Sequence, residues 1–288
     1  MSVRVEEGRA VVSRLAGAFA RALFVMAVVA TPSVVLPGTG ADGKQMVALV
    51  ALFAGGLTFV EYHATYPGLI EFRDAPPFNR IRFLILFFTV FFLTVIAGNA
   101  SDPTTLSTLI EALGALIGRA MDFPFSPVRL AAGMLADGAT DRQIMAVRTA
   151  AGISYLVSLV GLSVFVVLMK SNSWPGTSGT FNVWVNLPTF DPTSGGDVVA
   201  RLDRDARINI GLGFLLPFLT PFVVKTASIG FVPLTLTAPQ TLIWTMTAWA
   251  FLPASLFMRG IAMSKIADMI RAKRRSGRTV HVADYSPA

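Results

Sequence analysis

The chain has 288 residues, of which 53% are hydrophobic and only 14% are charged, whereas about a quarter of the residues of a soluble domain are charged. This composition excludes an ordinary soluble protein, and the lack of cysteine excludes disulfides, Fe–S clusters and thiolate metal sites. The formal charge of +7 suits the cytoplasmic loops of a protein embedded in a lipid bilayer, so we expect no nucleic-acid partner.

Six apolar segments are long enough to cross the roughly 30 Å hydrocarbon core of a bilayer as α-helices. They lie at about 17–36, 45–62, 81–98, 147–169, 208–224 and 239–260. The predicted fold class is therefore all-α: a polytopic membrane helical bundle of about six transmembrane helices, with an insertion of amphipathic and short helices between the third and fourth. Residues 1–288 are expected to form one membrane domain.

The insertion at 99–146 is predicted to be helical and extracytoplasmic. Leucine and isoleucine recur at helical spacing within 104–120, which indicates an amphipathic helix on the membrane surface. An alternative is that this segment forms a short seventh span. Ser126 and the pair Thr140 and Gln143 match helix-capping patterns, so two short helices are predicted to follow.

Most of the 24 Lys and Arg residues lie before the first span, between the second and third, between the fourth and fifth, and after the sixth. Because positively charged segments are retained in the cytoplasm, both termini are predicted to be cytoplasmic, with a cytoplasmic loop at 171–206. The basic tail at 261–288 is expected to attract anionic lipids. The lack of a transit-like leader favours a bacterial inner membrane over an organelle.

The chain has two histidines, His63 and His281. His281 lies in the polar tail, which excludes a haem held between two membrane histidines. His63 follows Glu61 and Tyr62 at the end of the second span, where a carboxylate could tune an imidazole. Glu61 and His63 could therefore form a proton-handling pair, or His63 could be a single axial ligand for a pigment or haem, although the favoured interpretation is that these residues bond to headgroups and loops. No catalytic residue, metal ligand or cofactor is predicted.

The connection at 71–80 combines charges with two adjacent prolines. The prolines stiffen it, and its charges can form an internal network. It is either a docking surface for another subunit or a well-ordered turn that fixes the second and third spans. The candidate interaction residues are Glu71, Arg73, Asp74, Pro76, Pro77 and Arg80.

Prolines interrupt the fifth span at 217 and 221 and the sixth at 253. Proline-broken spans occur at transporter binding sites, so a transport function would use Pro217, Pro221, Lys225 and Glu61. The first half of the chain shows no matching broken segment, which favours packing of proline-kinked helices.

Small residues share helix faces in the second and fourth spans. Such faces allow two helix backbones to approach closely, either within the chain or between the chain and a partner. The residues concerned are Ala51, Gly55, Gly56, Ser154, Ser158 and Gly161.

Three classes of function remain. Charged residues are scarce inside the spans, whereas ion and substrate paths usually carry them. The favoured hypothesis is therefore a non-catalytic multi-pass inner-membrane protein, an accessory subunit or assembly factor that binds a membrane-protein partner in a larger complex. The alternative is a small-solute or ion transporter that uses the proline-broken fifth and sixth spans. An intramembrane enzyme is least favoured, because no set of nucleophile, base and metal ligands is visible.

Overall fold

A computed structural model describes residues 2–38, 40–171, 174, 182–191, 193–230 and 235–284 of the chain. The side chains of 2–11, 171, 184, 228–230 and 277–284 lie outside this description. The side chain of His281 belongs to this group, so the prediction that it lies in a polar tail falls outside the described residues.

All regular secondary-structure elements in these described ranges are helices, joined by turns and irregular segments. The helices are α1 (Ser2–Val35), α2 (Ala41–His63), α3 (Phe78–Asn99), α4 (Thr105–Ala120), α5 (Pro127–Ala132), α6 (Asp141–Ser171), α7 (Val183–Asn186), α8 (Val198–Gly230) and α9 (Pro239–Asp284). Six of them, α1, α2, α3, α6, α8 and α9, are long and apolar enough to cross a membrane. This confirms the predicted polytopic bundle, and the chain is a multi-pass helical membrane protein.

Two helices begin earlier than the sequence predicts. The N–H of Thr140 donates to Gln143 Oε1 at 2.8 Å, and the N–H of Gln143 donates to Thr140 Oγ1 at 3.3 Å. This capping box opens α6 itself, and not a separate short helix, because the helix continues unbroken from Asp141 into the fourth span. Similarly, α8 begins at Val198, so the second part of the predicted 171–206 loop is already helical.

The connection between α2 and α3 (residues 64–77), α7 and the start of α8 lie at one end of the bundle, which we call the basic end. α4 and α5 lie at the opposite end. α9 returns to the basic end and continues past it along the start of α8. Two ion pairs join these segments, Arg271 with Asp203 and Arg274 with Asp197. Two arginines of the C-terminal extension are therefore neutralised by acids at and just before the start of α8.

α9 is the central helix of the bundle and α2 is peripheral. Half of the most apolar window of α9 is buried, against 11% for α2. α9 passes through both apolar cores, with Trp249 in the core towards the opposite end and Met258 in the core towards the basic end. α2 packs mainly against α1, so most of its surface faces outwards.

α4 crosses α6 at a contact made by glycines. A Cβ atom on Gly152 of α6 would lie 2.4 Å from the carbonyl oxygen of Gly114 and 2.6 Å from the backbone nitrogen of Gly118. The two backbones therefore touch at this crossing, which only residues without a side chain permit. The opposite face of α4 is apolar and points away from the protein, with exposed Leu106, Leu109, Leu113 and Leu116.

Candidate functional site

The carboxylate of Glu61 holds the α2–α3 connection at the basic end. Glu61 lies in the last turn of α2 and is 8% exposed. Its Oε2 atom accepts hydrogen bonds from the backbone N–H groups of Gly68, Leu69 and Ile70, at 3.0, 2.9 and 3.0 Å. A carboxylate accepts only a few hydrogen bonds, and these three donors use most of that capacity. Glu61 therefore has a structural role: it holds the connection against the end of α2.

The guanidinium group of Arg73 fixes the end of α2. It donates to the backbone carbonyl oxygens of Glu61 at 3.1 Å, of Thr65 at 3.4 Å, and of Ala64. Carbonyls at a helix C-terminus have no helical N–H to accept, so Arg73 supplies the missing donors. Its Nε atom also pairs with Asp74 at 3.2 Å. The Arg73 side chain is 10% exposed, whereas that of Asp74 is 59% exposed.

Glu71 joins the connection to α9 and to the segment that follows α7. Its carboxylate accepts two bonds from Arg259, at 2.5 Å from Nε and 2.8 Å from Nη2, and a third from the hydroxyl of Thr189 at 2.7 Å. Two parallel bonds between guanidinium and carboxylate form one of the strongest polar contacts in proteins. Glu71 is 9% exposed, so its charge faces the protein and not a partner.

Asn186 at the end of α7 binds the backbone of the connection. Its carbonyl oxygen accepts the N–H of Phe72 at 2.7 Å, and its Oδ1 accepts the N–H of Asp74 at 3.0 Å. The Phe72 ring is fully buried between Phe78 and Trp174, with centroids 4.4 and 5.9 Å away. These contacts give the connection a single ordered arrangement.

The remaining interaction candidates lie where α3 begins. Pro77 precedes the first residue of α3 and is half-buried, whereas Pro76 and Arg80 are exposed. Arg80 makes no ion pair with any residue that the structure describes. Of the six candidates, Asp74, Pro76 and Arg80 are therefore accessible to a partner.

A partly open cavity of about 1050 Å³ lies beside the connection and is bounded by α1, α2 and α3. Four arginines line it, and none of the described lining residues is acidic. They are Arg21, Arg73, Arg80 and Arg82. The Arg21 guanidinium lies 4.7 Å from the centroid of the Tyr62 ring and donates to the carbonyl of Gly17 at 2.7 Å. The cavity is therefore strongly basic.

Arg82 is a half-buried cation of this cavity. It lies in the second turn of α3, donates from Nε to the hydroxyl of Ser255 at 3.3 Å, and is 5.7 Å from the Phe251 ring centroid. Glu71 is a carboxylate whose charge acts on Arg82, but it makes no ion pair with Arg82 and its oxygens are occupied by Arg259. Arg82 thus holds a positive charge inside a span without a described ion-pair partner.

His63 is exposed, and its ring stacks on Phe59 with a centroid distance of 5.7 Å. Glu61 is turned towards the connection and is occupied there, so it makes no hydrogen bond to His63. Within the described ranges, no group of three or more His, Asp or Glu residues could hold a metal ion. Binding of a pigment or haem by His63 stays a prediction.

The transport candidates do not lie together. Lys225 pairs with Asp137 at 3.4 Å at the opposite end, and both side chains are exposed, whereas Glu61 lies at the basic end. Pro221 has no N–H, which frees the carbonyl oxygen of Pro217 four residues earlier. The indole N–H of Trp249 donates to that oxygen at 3.0 Å.

The small residues of α2 and α6 have different neighbours. A Cβ on Gly55 would meet the Met26 side chain at 2.4 Å, and a Cβ on Gly161 would meet Ile85 at 2.3 Å. The hydroxyl of Ser158 donates to the carbonyl of Ala250 at 3.3 Å. These residues therefore join helices within the chain. By contrast, no atom lies within 4 Å of a Cβ placed on Gly56, one residue further along α2.

Several residues of this site were not singled out by the sequence. Arg82 lies in the first turn of the predicted span at 81–98, where an arginine is ordinary. Only the earlier start of α3 at Phe78 places it in the second turn, where a cation is costly and usually functional. Asn186, Thr189 and Arg259 carried no signal, since their partners lie more than 60 residues away in sequence.

Comparison with known protein families, with characterised proteins and with solved structures finds no significant similarity.

Proposed function

We propose that this multi-pass membrane protein is a non-catalytic accessory subunit or assembly factor of a larger membrane complex. The observation that carries the proposal is the uncharged middle of every candidate span. Residues 22–35, 45–60, 83–99, 149–169, 208–224 and 239–258 contain no Asp, Glu, Lys or Arg. Ion and substrate paths through a bilayer usually contain such groups.

The charged groups at the span ends are largely used within the chain. Glu61 binds three backbone N–H groups, Glu71 binds Arg259, and Arg73 binds three carbonyls. Groups held in this way stabilise one arrangement of the basic end. A protein that presents fixed surfaces to a partner needs such rigidity more than a transporter does, because a transporter must move one group of helices against another.

The alternative, a transporter that uses the prolines of α8 and α9, has less support, because both helices continue through these prolines and are not broken as the sequence predicted. The helices pack closely near these prolines: Trp249 binds the freed carbonyl of Pro217, and a Cβ on Gly213 would meet Phe257 and the carbonyl of Pro253, each at 3.0 Å. Side chains therefore occupy the space where a solute site would form.

We infer that the partner contacts the outer face of α2. This helix is the least buried of the candidate spans, and its exposed side chains share one face with an unoccupied glycine. They are Leu49, Phe53, Gly56 and Val60. An open glycine on an apolar helix face lets a second helix approach closely.

We also infer that the basic end is cytoplasmic. α1 begins and α9 ends at this end, and most Lys and Arg residues lie there or in the segments that extend from it. Positive segments are retained in the cytoplasm. Reporter fusions at the two termini should both report the cytoplasm, and termini on opposite faces would contradict the orientation.

Purification in a mild detergent tests the subunit proposal. The wild-type chain is expected to co-migrate with a larger complex. Gly56→Leu should reduce this co-migration, because the added side chain blocks the close approach of a partner helix. Gly211→Leu on α8 is the matched control, since a Cβ at Gly211 also meets nothing within 4 Å.

A wild-type chain that migrates alone and binds a solute would overturn the proposal. Equal loss of co-migration in Gly56→Leu and Gly211→Leu would overturn the assignment of the partner face to α2.

A further inference from the structure

We propose that the basic cavity at the end of α1, α2 and α3 is a binding site for an anionic phospholipid, with the phosphate held by Arg21, Arg80 and Arg82. The cavity has a volume of about 1050 Å³ and contains four arginines but no acid among its described lining residues. This site is separate from the basic C-terminal extension, where Arg271 pairs with Asp203 of α8 and Arg274 with Asp197 just before it.

The first argument is the uncompensated charge. Arg73 is satisfied by three carbonyls and Asp74, but Arg21, Arg80 and Arg82 make no ion pair with a described residue. Arg21 and Arg80 are exposed, whereas Arg82 is half-buried in α3, where a cation without a counter-ion is costly. An anion in the cavity would offset that cost, and the planar guanidinium group matches the geometry of a phosphate.

The second argument is the order of polar and apolar groups along the helices. Arg21 lies one turn from Phe24 and Val25, and Arg82 lies one turn from Leu86, with the apolar residue nearer the middle of the span in each case. One helical turn rises about 5.4 Å. The cavity is therefore basic at the level of a headgroup and apolar at the level of the first part of an acyl chain.

The third argument is the position of the cavity. It is partly open and lies between helices at the basic end, and basic pockets between transmembrane helices on the cytoplasmic side bind anionic headgroups. Tyr62 and Asn79 add neutral donors to the same lining. A free phosphate would use the arginines but would leave the apolar wall empty.

The test uses the full-length protein, delipidated in an uncharged detergent. Short-chain phosphatidylglycerol is titrated against it, with phosphatidylcholine of the same chain length and inorganic phosphate as comparison ligands. Native mass spectrometry gives the stoichiometry, and the shift in thermal unfolding gives the affinity. The wild-type chain should bind one phosphatidylglycerol with clear preference over both comparison ligands.

The double variant Arg21→Gln/Arg82→Gln should bind phosphatidylglycerol about thirtyfold more weakly, at the usual contribution of a cation near an anionic lipid. The control is Arg207→Gln, an exposed arginine near the same end that does not line the cavity, and it should leave the affinity unchanged.

A second variant tests the apolar wall without removing charge. Ala20→Phe places a ring in the cavity from an exposed position on α1, and it should weaken binding at least about tenfold by filling the acyl-chain space. If the double variant does not fold, the effect of Ala20→Phe on phosphatidylglycerol binding tests the site without it.

Equal affinity for phosphatidylcholine would overturn the selectivity for an anion, and equal affinity for inorganic phosphate would show that the ligand is a free phosphate. If Arg207→Gln weakened phosphatidylglycerol binding as much as the double variant does, binding would depend on general surface charge and the proposed site would be refuted. The inference does not depend on the subunit proposal, since lipid binding and co-migration are measured separately.

Discussion

Replacement of Glu71 by glutamine should destabilise the whole basic end. The change keeps the size of the side chain but removes the charge that binds Arg259 through bonds of 2.5 and 2.8 Å. Loss of one partner from a buried pair costs about 3–5 kcal/mol, because the other charge is left uncompensated. The Arg259 side chain is 27% exposed, so water recovers part of this cost. We expect a loss of about 2–3 kcal/mol in the free energy of unfolding.

The assay is reversible unfolding of the purified protein by a denaturing detergent, followed by tryptophan fluorescence. A double-mutant cycle with Arg259→Gln should give a coupling energy of at least about 1 kcal/mol, since the pair acts as one unit. The control is Arg204→Gln, because Arg204 pairs with Asp205 while 64% exposed, and exposed pairs contribute about 0–1 kcal/mol.

Two results would refute this reasoning. A loss below about 0.5 kcal/mol for Glu71→Gln would mean that the pair is solvated or absent. Strictly additive effects of Glu71→Gln and Arg259→Gln would mean that the two residues do not interact.

Gly152→Leu should cost more than about 2 kcal/mol of unfolding free energy in the same assay, because its Cβ has no space between α6 and α4. Trp249→Phe should cost about 1–3 kcal/mol by leaving the buried carbonyl of Pro217 without a donor. The hydrogen bond from Arg129 holds the pKa of Asp122 below its usual value, so the stabilisation by this carboxylate is present above the unfolded-state pKa and is lost as pH falls through the lowered one. Asp122→Asn should therefore weaken the protein at neutral pH and converge with wild type in acid.

Each of these three variants has a matched control. Gly211→Leu adds the same side chain at an open position, Trp244→Phe removes an indole from a half-buried position, and Asp141→Asn neutralises an exposed acid. Each control should change the free energy of unfolding by less than about 0.5 kcal/mol. A difference in unfolding free energy between Asp122→Asn and wild type that stays constant from neutral pH to acid would contradict the predicted pH dependence.

The six candidate spans could be predicted because hydropathy is a local property of the chain. A segment must be long and apolar to lie in a bilayer, whatever it packs against. The capping pattern Thr140 with Gln143 was also readable, since both partners lie within one helical turn. The sequence did not show that this pattern begins a span, because Arg142 and Arg148 lower the hydropathy near its start and moved the predicted start to residue 147.

The roles of the candidate residues depended on contacts between distant segments. In the sequence, Glu71 looks like an ordinary charged residue of a loop, because its partner Arg259 is 188 positions away. Gly55 and Gly56 are adjacent and identical in type, but one meets Met26 and the other meets nothing. Residues next to each other in a helix point about 100° apart, so only the placement of α1 against α2 separates their roles.

By itself, the amino-acid sequence determined that this protein lies in a lipid bilayer and how many candidate spans it has, since both follow from the hydropathy of residues that are close together in the chain. Tertiary structure alone decided that the carboxylates of Glu61 and Glu71 bind groups inside the chain, while Arg21, Arg80 and Arg82 make no ion pair with a described residue. That difference arises from which side chains the packed helices bring within bonding distance, and no local pattern of residues contains it.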